Sequence, residues 1–205
     1  MSKELSIEEI KANIEKSPVR CPDLEASERM VELVKKIKAE GGSIGGIIEA
    51  IAFNVPVGLG EPIFDNLEGE IAKAMFSIPA IKGIEFGTGF KLAEMKGSEA
   101  NDQFAIKNGK IITLTNNSGG ILGGISNGAP IKFKLVVKPT PSIFKPQNSV
   151  NLKEMKETIL RLEGRFDPCI AVRAVPVVES MFAVVLADHL LRWLSWIGFR
   201  NFDAK

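Results

Sequence analysis

From Val175 to Leu191 the chain runs through its longest apolar stretch, interrupted by Glu179, Asp188 and His189. Pro176 suits the first turn of a helix, so a long helix is expected from Pro176 to about Trp193. Val177, Val178, Met181, Val184, Val185 and Leu186 cover most of its circumference. A helix with that pattern belongs between two layers, not on a surface. Its polar interruptions argue against a membrane-spanning segment and for a buried helix of a soluble protein.

The other elements are mixed without regular alternation. Asp23 is placed to cap a helix to about Glu40, with Met30, Leu33, Val34 and Ile37 on one face and Gly41-Gly42 as the stop. Ile47 to Asn54 reads as a strand. A helix from about Asp65 buries Leu67, Ile71, Ala74, Met75 and Ile78 and ends at Pro79. Lys82 to Phe86 is a short strand, and Gly97 to Gln103 reads as an exposed excursion. Asn108-Gly109 marks a hairpin. Ile131, Phe133, Leu135 and Val137 alternate with Lys132 and Lys134, a half-buried strand. Thr158 to Leu162 fits strand or helix, with strand favoured because Gly164 cuts it short. The expectation is an α+β domain with antiparallel pairing.

Composition narrows function mainly by exclusion. Lys plus Arg total 26 and Asp plus Glu 25, a balance that argues for neither nucleic acid nor an anionic membrane. Cys21 and Cys169 are isolated and there is one histidine, so no metal site is expected. Two reduced thiols and a charged N-terminus without an apolar h-region fit the cytoplasm.

Three segments offer chemistry. Asn116 to Gly128, NNSGGILGGISNG, holds five glycines. It reads equally as a tight irregular turn or as a loop whose backbone meets an anion. Lys138 to Gln147, KPTPSIFKPQ, presents Lys138, Thr140 and Ser142 at a strand end, stiffened by Pro139 and Pro141. It is either a strand terminator or a phosphate contact. Gly164 to Ser180 sets Asp167 between Arg165 and Arg173, as an ion pair or as an anion-binding group. His189, alone near a helix end, reads as structural or surface.

Several long segments resemble the chorismate synthase family in order and spacing: VRCPD, the run GGIIEAIAFNVPVGLGEPIFDNLEGEIAKAMFSIPAIKGIEFGTGF, NNSGGILGGISNGAPI, KPTPSI and GRFDPCIAVRAVPVVESM. The resemblance covers about Ser17 to Arg192 and corresponds to the C-terminal half of that family. Residues 1–16 form a charged lead and 193–205 a divergent tail, within one partial domain spanning 1–205. The resemblance implies part of a sandwich of antiparallel sheets around central helices, and a homotetramer. It implies trans-1,4 elimination of phosphate from 5-enolpyruvylshikimate 3-phosphate to give chorismate, in the shikimate pathway of aromatic amino-acid biosynthesis. Reduced FMN is required, and NADPH enters only if the enzyme reduces its own flavin.

By the same resemblance, Pro79, Ala80, Gly123, Lys138, Pro139, Thr140, Pro141, Ser142 and Arg165 contact the flavin. Asp167 assists deprotonation, and Arg165 and, more weakly, Arg173 meet the substrate. Phe166 stands where the family often has His. The family's Gly-Glu-Ser-His-Gly and Arg-Pro-Ser-His-type segments, with its two catalytic histidines, are not found in these 205 residues. The expectation is a fragment that needs an N-terminal half and is inactive alone. The alternative is a non-catalytic remnant that binds FMN or docks on an oligomer.

Overall fold

The computed structural model describes residues 5–197. In chain order the elements are α1 (Ile7–Asn13), α2 (Leu24–Ala39), β1 (Gly46–Ala52), α3 (Leu67–Phe76), β2 (Ile81–Phe86), a 3-10 turn (Gly89–Glu94) and α4 (Gly97–Ala100). They continue as β3 (Phe104–Lys107), β4 (Lys110–Thr113), β5 (Ile121–Leu122), β6 (Ile125–Ser126), β7 (Ile131–Val137), β8 (Gln147–Asn151), β9 (Lys156–Leu160) and α5 (Ala171–Ile197). The β3–β4, β5–β6 and β8–β9 pairs are antiparallel, and the mixture is α+β. Part of the tail, residues 198–205, lies outside the described residues, as do residues 1–4 of the charged lead.

The chain divides into two compact units, Met1–Gly46 with Val137–Val175, and Ile47–Val136 with Pro176–Lys205. In the first, Ser6 and Glu9 form a capping box on α1 and Asp23 caps α2 through the Ala26 amide at 3.0 Å. Ser27, Val31 and Val34, at i, i+4 and i+7, turn inward, whereas Met30 and Leu33 of the expected face are 46% and 45% exposed. β8 was not expected, because QNSVN carries no apolar alternation. It is recruited by β9, a strand as read, though two residues earlier than read.

In the second unit, β7 is the middle strand of the order β1–β7–β2. Ile131, Phe133, Leu135 and Val137 are at most 1% exposed. On the other face Lys132 pairs with Glu49 on β1 at 3.0 Å and Lys134 with Glu85 on β2 at 3.4 Å. The lysines thus bridge neighbouring strands while the alternate positions form the core. Leu67, Ile71, Met75 and Ile78 of the α3 segment are buried as the periodicity required. Asn108 and Gly109 both take positive φ (51° and 73°), the requirement of a type I′ hairpin.

The long helix departs from expectation twice. It starts at Ala171, so Pro176 lies inside it and gives up one backbone hydrogen bond. Only one stripe is covered: Val178, Phe182, Val185 and His189 are buried, with the Phe182 ring edge-on to Phe133 at 4.8 Å. Val177, Val184 and Leu191 are 45%, 61% and 62% exposed. One layer packs on α5, where the sequence pattern called for two. The helix is long and apolar enough in composition to pass for a membrane span, and 22% of its most apolar stretch is buried within the chain, well short of the burial that the sequence pattern implied.

Candidate functional site

In the first unit, the segment between α2 and β1, Ser43-Ile44-Gly45-Gly46, joins two of the candidate loops. The Ser43 hydroxyl donates to the Thr140 carbonyl at 2.6 Å. The Ile44 amide donates to the Pro168 carbonyl at 2.8 Å. Close approach explains the glycines. A Cβ on Gly45 would lie 2.5 Å from the Val137 carbonyl oxygen, and one on Gly46 would lie 2.7 Å from the Ala171 Cβ. Sequence reasoning took Gly41-Gly42 only as a helix stop and missed Ser43. Its signal was a lone hydroxyl between two glycine pairs, GGSIGG.

Lys138, Pro139 and Pro141 are exposed, and Thr140 and Ser142 half-buried. The Thr140 hydroxyl oxygen is buried with no hydrogen-bond partner among the described residues. Asp167 and Arg173 come together as a two-point pair: Nε to Oδ2 at 2.9 Å and Nη2 to Oδ1 at 3.0 Å. Arg165 is exposed and forms no ion pair with a described residue. Asp167, Cys169, Val172 and Arg173 line one side of a cleft of about 350 Å³, faced by Val31, Val34 and Lys35 of α2 and by Pro18 and Val19. The recess is mainly apolar, with Lys35, Asp167 and Arg173 as its charged lining residues.

In the second unit lie Pro79, Ala80 and Gly123. Pro79 is exposed, and Ala80 has φ of 72° in a turn closed by the Ile81 amide on the Ile78 carbonyl. Proline followed by a positive-φ residue is the type II pattern, where glycine is usual. An alanine there is strained, and such strain clusters at functional sites.

The glycines of NNSGGILGGISNG separate cleanly. A Cβ on Gly119 would meet the Gly87 amide at 2.5 Å, one on Gly120 the Pro130 carbonyl at 2.5 Å, one on Gly124 the Asn66 side chain and one on Gly128 the Val57 side chain at 2.9 Å. Gly123, exposed at the β5–β6 turn with φ of 60°, meets nothing within 4 Å. Four glycines serve internal packing, and Gly123 is the one open to an incoming molecule. Gly123→Ala is expected to cost only about 1 kcal/mol for its positive φ. Gly120→Ala, forced against a carbonyl, should cost more than about 3 kcal/mol. Denaturant melts of the two variants check the contrast.

Asp102 was missed altogether, because its segment was read as exposed. Its side chain is 4% exposed. It accepts from the Thr115 hydroxyl at 2.6 Å, the Asn117 amide at 2.7 Å and the Ser118 amide at 2.8 Å. Burial alone would raise its pKa. The hydrogen bonds from Thr115, Ser118 and Asn117 outweigh that and hold it below the ordinary carboxylate value. A depressed folded pKa gives stability that is present above the unfolded value, about 4, and lost as pH falls through the folded one. The stability gap between the native chain and Asp102→Asn should therefore stay constant from neutrality to about pH 4 and shrink below it, as read by urea melts across pH.

Comparison with known proteins places these features in a family. The family model described as chorismate synthase matches residues 1–191. The chain is 57% identical over 191 residues to the chorismate synthase of Methanosarcina barkeri, covering 93% of this chain and 52% of that protein. It is 55% identical over 178 residues to that of Thermococcus gammatolerans, covering 87% and 50%. A crystal structure of chorismate synthase superposes with a TM-score of 0.75 at 35% identity, over 92% of this chain and 49% of that one. The chain spans about half the length of the curated relatives it matches. With the match reaching from residue 1 to residue 191 and the fold shared, the chain belongs to the chorismate synthase family.

Proposed function

We propose that this chain is the C-terminal half of a chorismate synthase, a lyase of amino-acid biosynthesis that eliminates phosphate from 5-enolpyruvylshikimate 3-phosphate with reduced FMN. The observation that carries the reading is the 57% identity to a chorismate synthase across 93% of the chain. The residues present fit a flavin phosphate: among the described residues, Lys138 and Arg165 are cations without an ion pair, and the Thr140 hydroxyl has no hydrogen-bond partner. Gly123 leaves its backbone open. The flavin, when bound, supplies electron density to the substrate as phosphate leaves.

In this reading Lys138 and Arg165 draw phosphate groups by charge. Ser43 holds the Lys138–Ser142 loop through the Thr140 carbonyl, leaving that threonine's hydroxyl for the ligand. Asp167 holds a negative charge beside the reacting groups and favours removal of the substrate proton. Assembly as an oligomer, with an N-terminal half of the same family, covers α5. The exposed face of α5 is then a layer contact and not a membrane span, and a cytoplasmic location follows.

The reading is tested by combining the chain with the N-terminal half of the Methanosarcina barkeri relative under anaerobic conditions with reduced FMN. Chorismate is expected from the mixture. A complex that forms yet makes none would favour the non-catalytic remnant.

A further inference from the structure

A loop meant to receive a ligand at Gly123 has to be held still, and β5–β6 is only two residues per strand. A pair that short does not hold its own conformation in water. Its tip is braced: the Leu67 amide donates to the Gly124 carbonyl at 2.9 Å, and Ser126 takes the Leu59 amide and gives its hydroxyl to the Pro56 carbonyl. Its entrance is braced by Asp102 alone among the described carboxylates. One oxygen accepts from the Thr115 hydroxyl and the Asn117 amide, and the other from the Ser118 amide. The Asn117 side chain then reaches the Glu99 and Ala100 carbonyls and Thr88, whose amide donates to the Asn117 carbonyl. A buried carboxylate that accepts three hydrogen bonds is rigid, because each donor would be orphaned if it moved.

We propose that Asp102 is a positioning residue: its carboxylate locks the Thr115–Ser118 turn at the start of the glycine-rich hairpin and so sets where Gly123 presents its backbone. Its link to flavin binding rests on the reading above, whereas its action on the hairpin does not. Asp102→Asn keeps shape and can still accept from Thr115 and Asn117, but it turns an NH2 toward the Ser118 amide, donor against donor. Thr115→Val removes one donor and leaves both amide bonds.

Hydrogen exchange of the full chain decides the matter. In Asp102→Asn, amides from Ser118 to Ser126 should exchange at least about tenfold faster, while α3 and β7 stay as protected as in the native chain. Thr115→Val should show a smaller effect in the same segment. Unchanged exchange in that segment, or an equal loss of protection throughout the chain, would overturn the proposal. FMN titration of the same proteins separates the two layers. If the native chain binds FMN, Asp102→Asn should bind about tenfold more weakly, and equal binding counts against the positioning role. If the native chain binds none, the flavin reading loses its support here, while the exchange pattern still decides what Asp102 does.

Discussion

Purified without a partner, the 205-residue chain should make no detectable chorismate from 5-enolpyruvylshikimate 3-phosphate and reduced FMN. Each positioned acid–base group typically contributes about 10²–10⁴ in rate, so loss of the family's two histidines costs at least about 10⁴. The histidine this chain does possess cannot stand in. His189 is 2% exposed, lies on the covered stripe of α5 and has neither ring nitrogen hydrogen-bonded to a described residue. A group so enclosed has no route to a substrate. Chorismate formed by the chain alone, under anaerobic conditions and free of contaminating synthase, would overturn the division of labour between the two halves.

In the enzyme assembled with its N-terminal half, Asp167→Asn should lower turnover by about 10² or more while leaving FMN and substrate affinity nearly unchanged. The substitution keeps shape and removes charge, so a loss confined to kcat marks a transition-state role. The structure makes the alternative explicit, since Asp167 is already paired with Arg173 at 2.9 Å. That pair is solvent-exposed, 73% on the arginine side and 38% on the aspartate side, and such pairs contribute about 0–1 kcal/mol to stability. Loss of the ion pair alone would therefore barely shift the melting point and would leave turnover intact. Arg165→Ala should act differently, weakening substrate or FMN binding along with turnover, because it removes a cation with no ion-pair partner among the described residues. Turnover within about twofold of native in Asp167→Asn would reduce Asp167 to an ion-pair partner.

How much of this was legible in the sequence follows from the range of the forces involved. β7 was read within its observed bounds because its alternation reports directly which side chains are buried. The Asn108-Gly109 turn was legible because few residues tolerate two successive positive φ values. The inner face of α2 was misjudged: periodicity names an apolar stripe but not which part finds a cover, and Met30 and Leu33 find none here. Asp102 was invisible because a carboxylate in a polar stretch looks solvated until the three donors from residues 115–118 fold onto it. The glycines of the loop could be counted but not sorted. Only the backbone of Gly87 and Pro130 and the side chains of Asn66 and Val57 separate the packed ones from Gly123.

The central claim is that this chain's uncovered apolar surface is one side of an interface with the other half of the enzyme. Light scattering combined with an apolar-surface dye tests it directly, first on the chain alone and then after addition of the N-terminal half from a relative. With Val177, Val184, Leu191 and Trp196 at 45–79% exposure along α5, the chain alone should self-associate and bind dye. On addition of the other half, it should resolve into a discrete complex with dye binding largely abolished. A monodisperse, dye-silent monomer that ignores the other half would contradict the account.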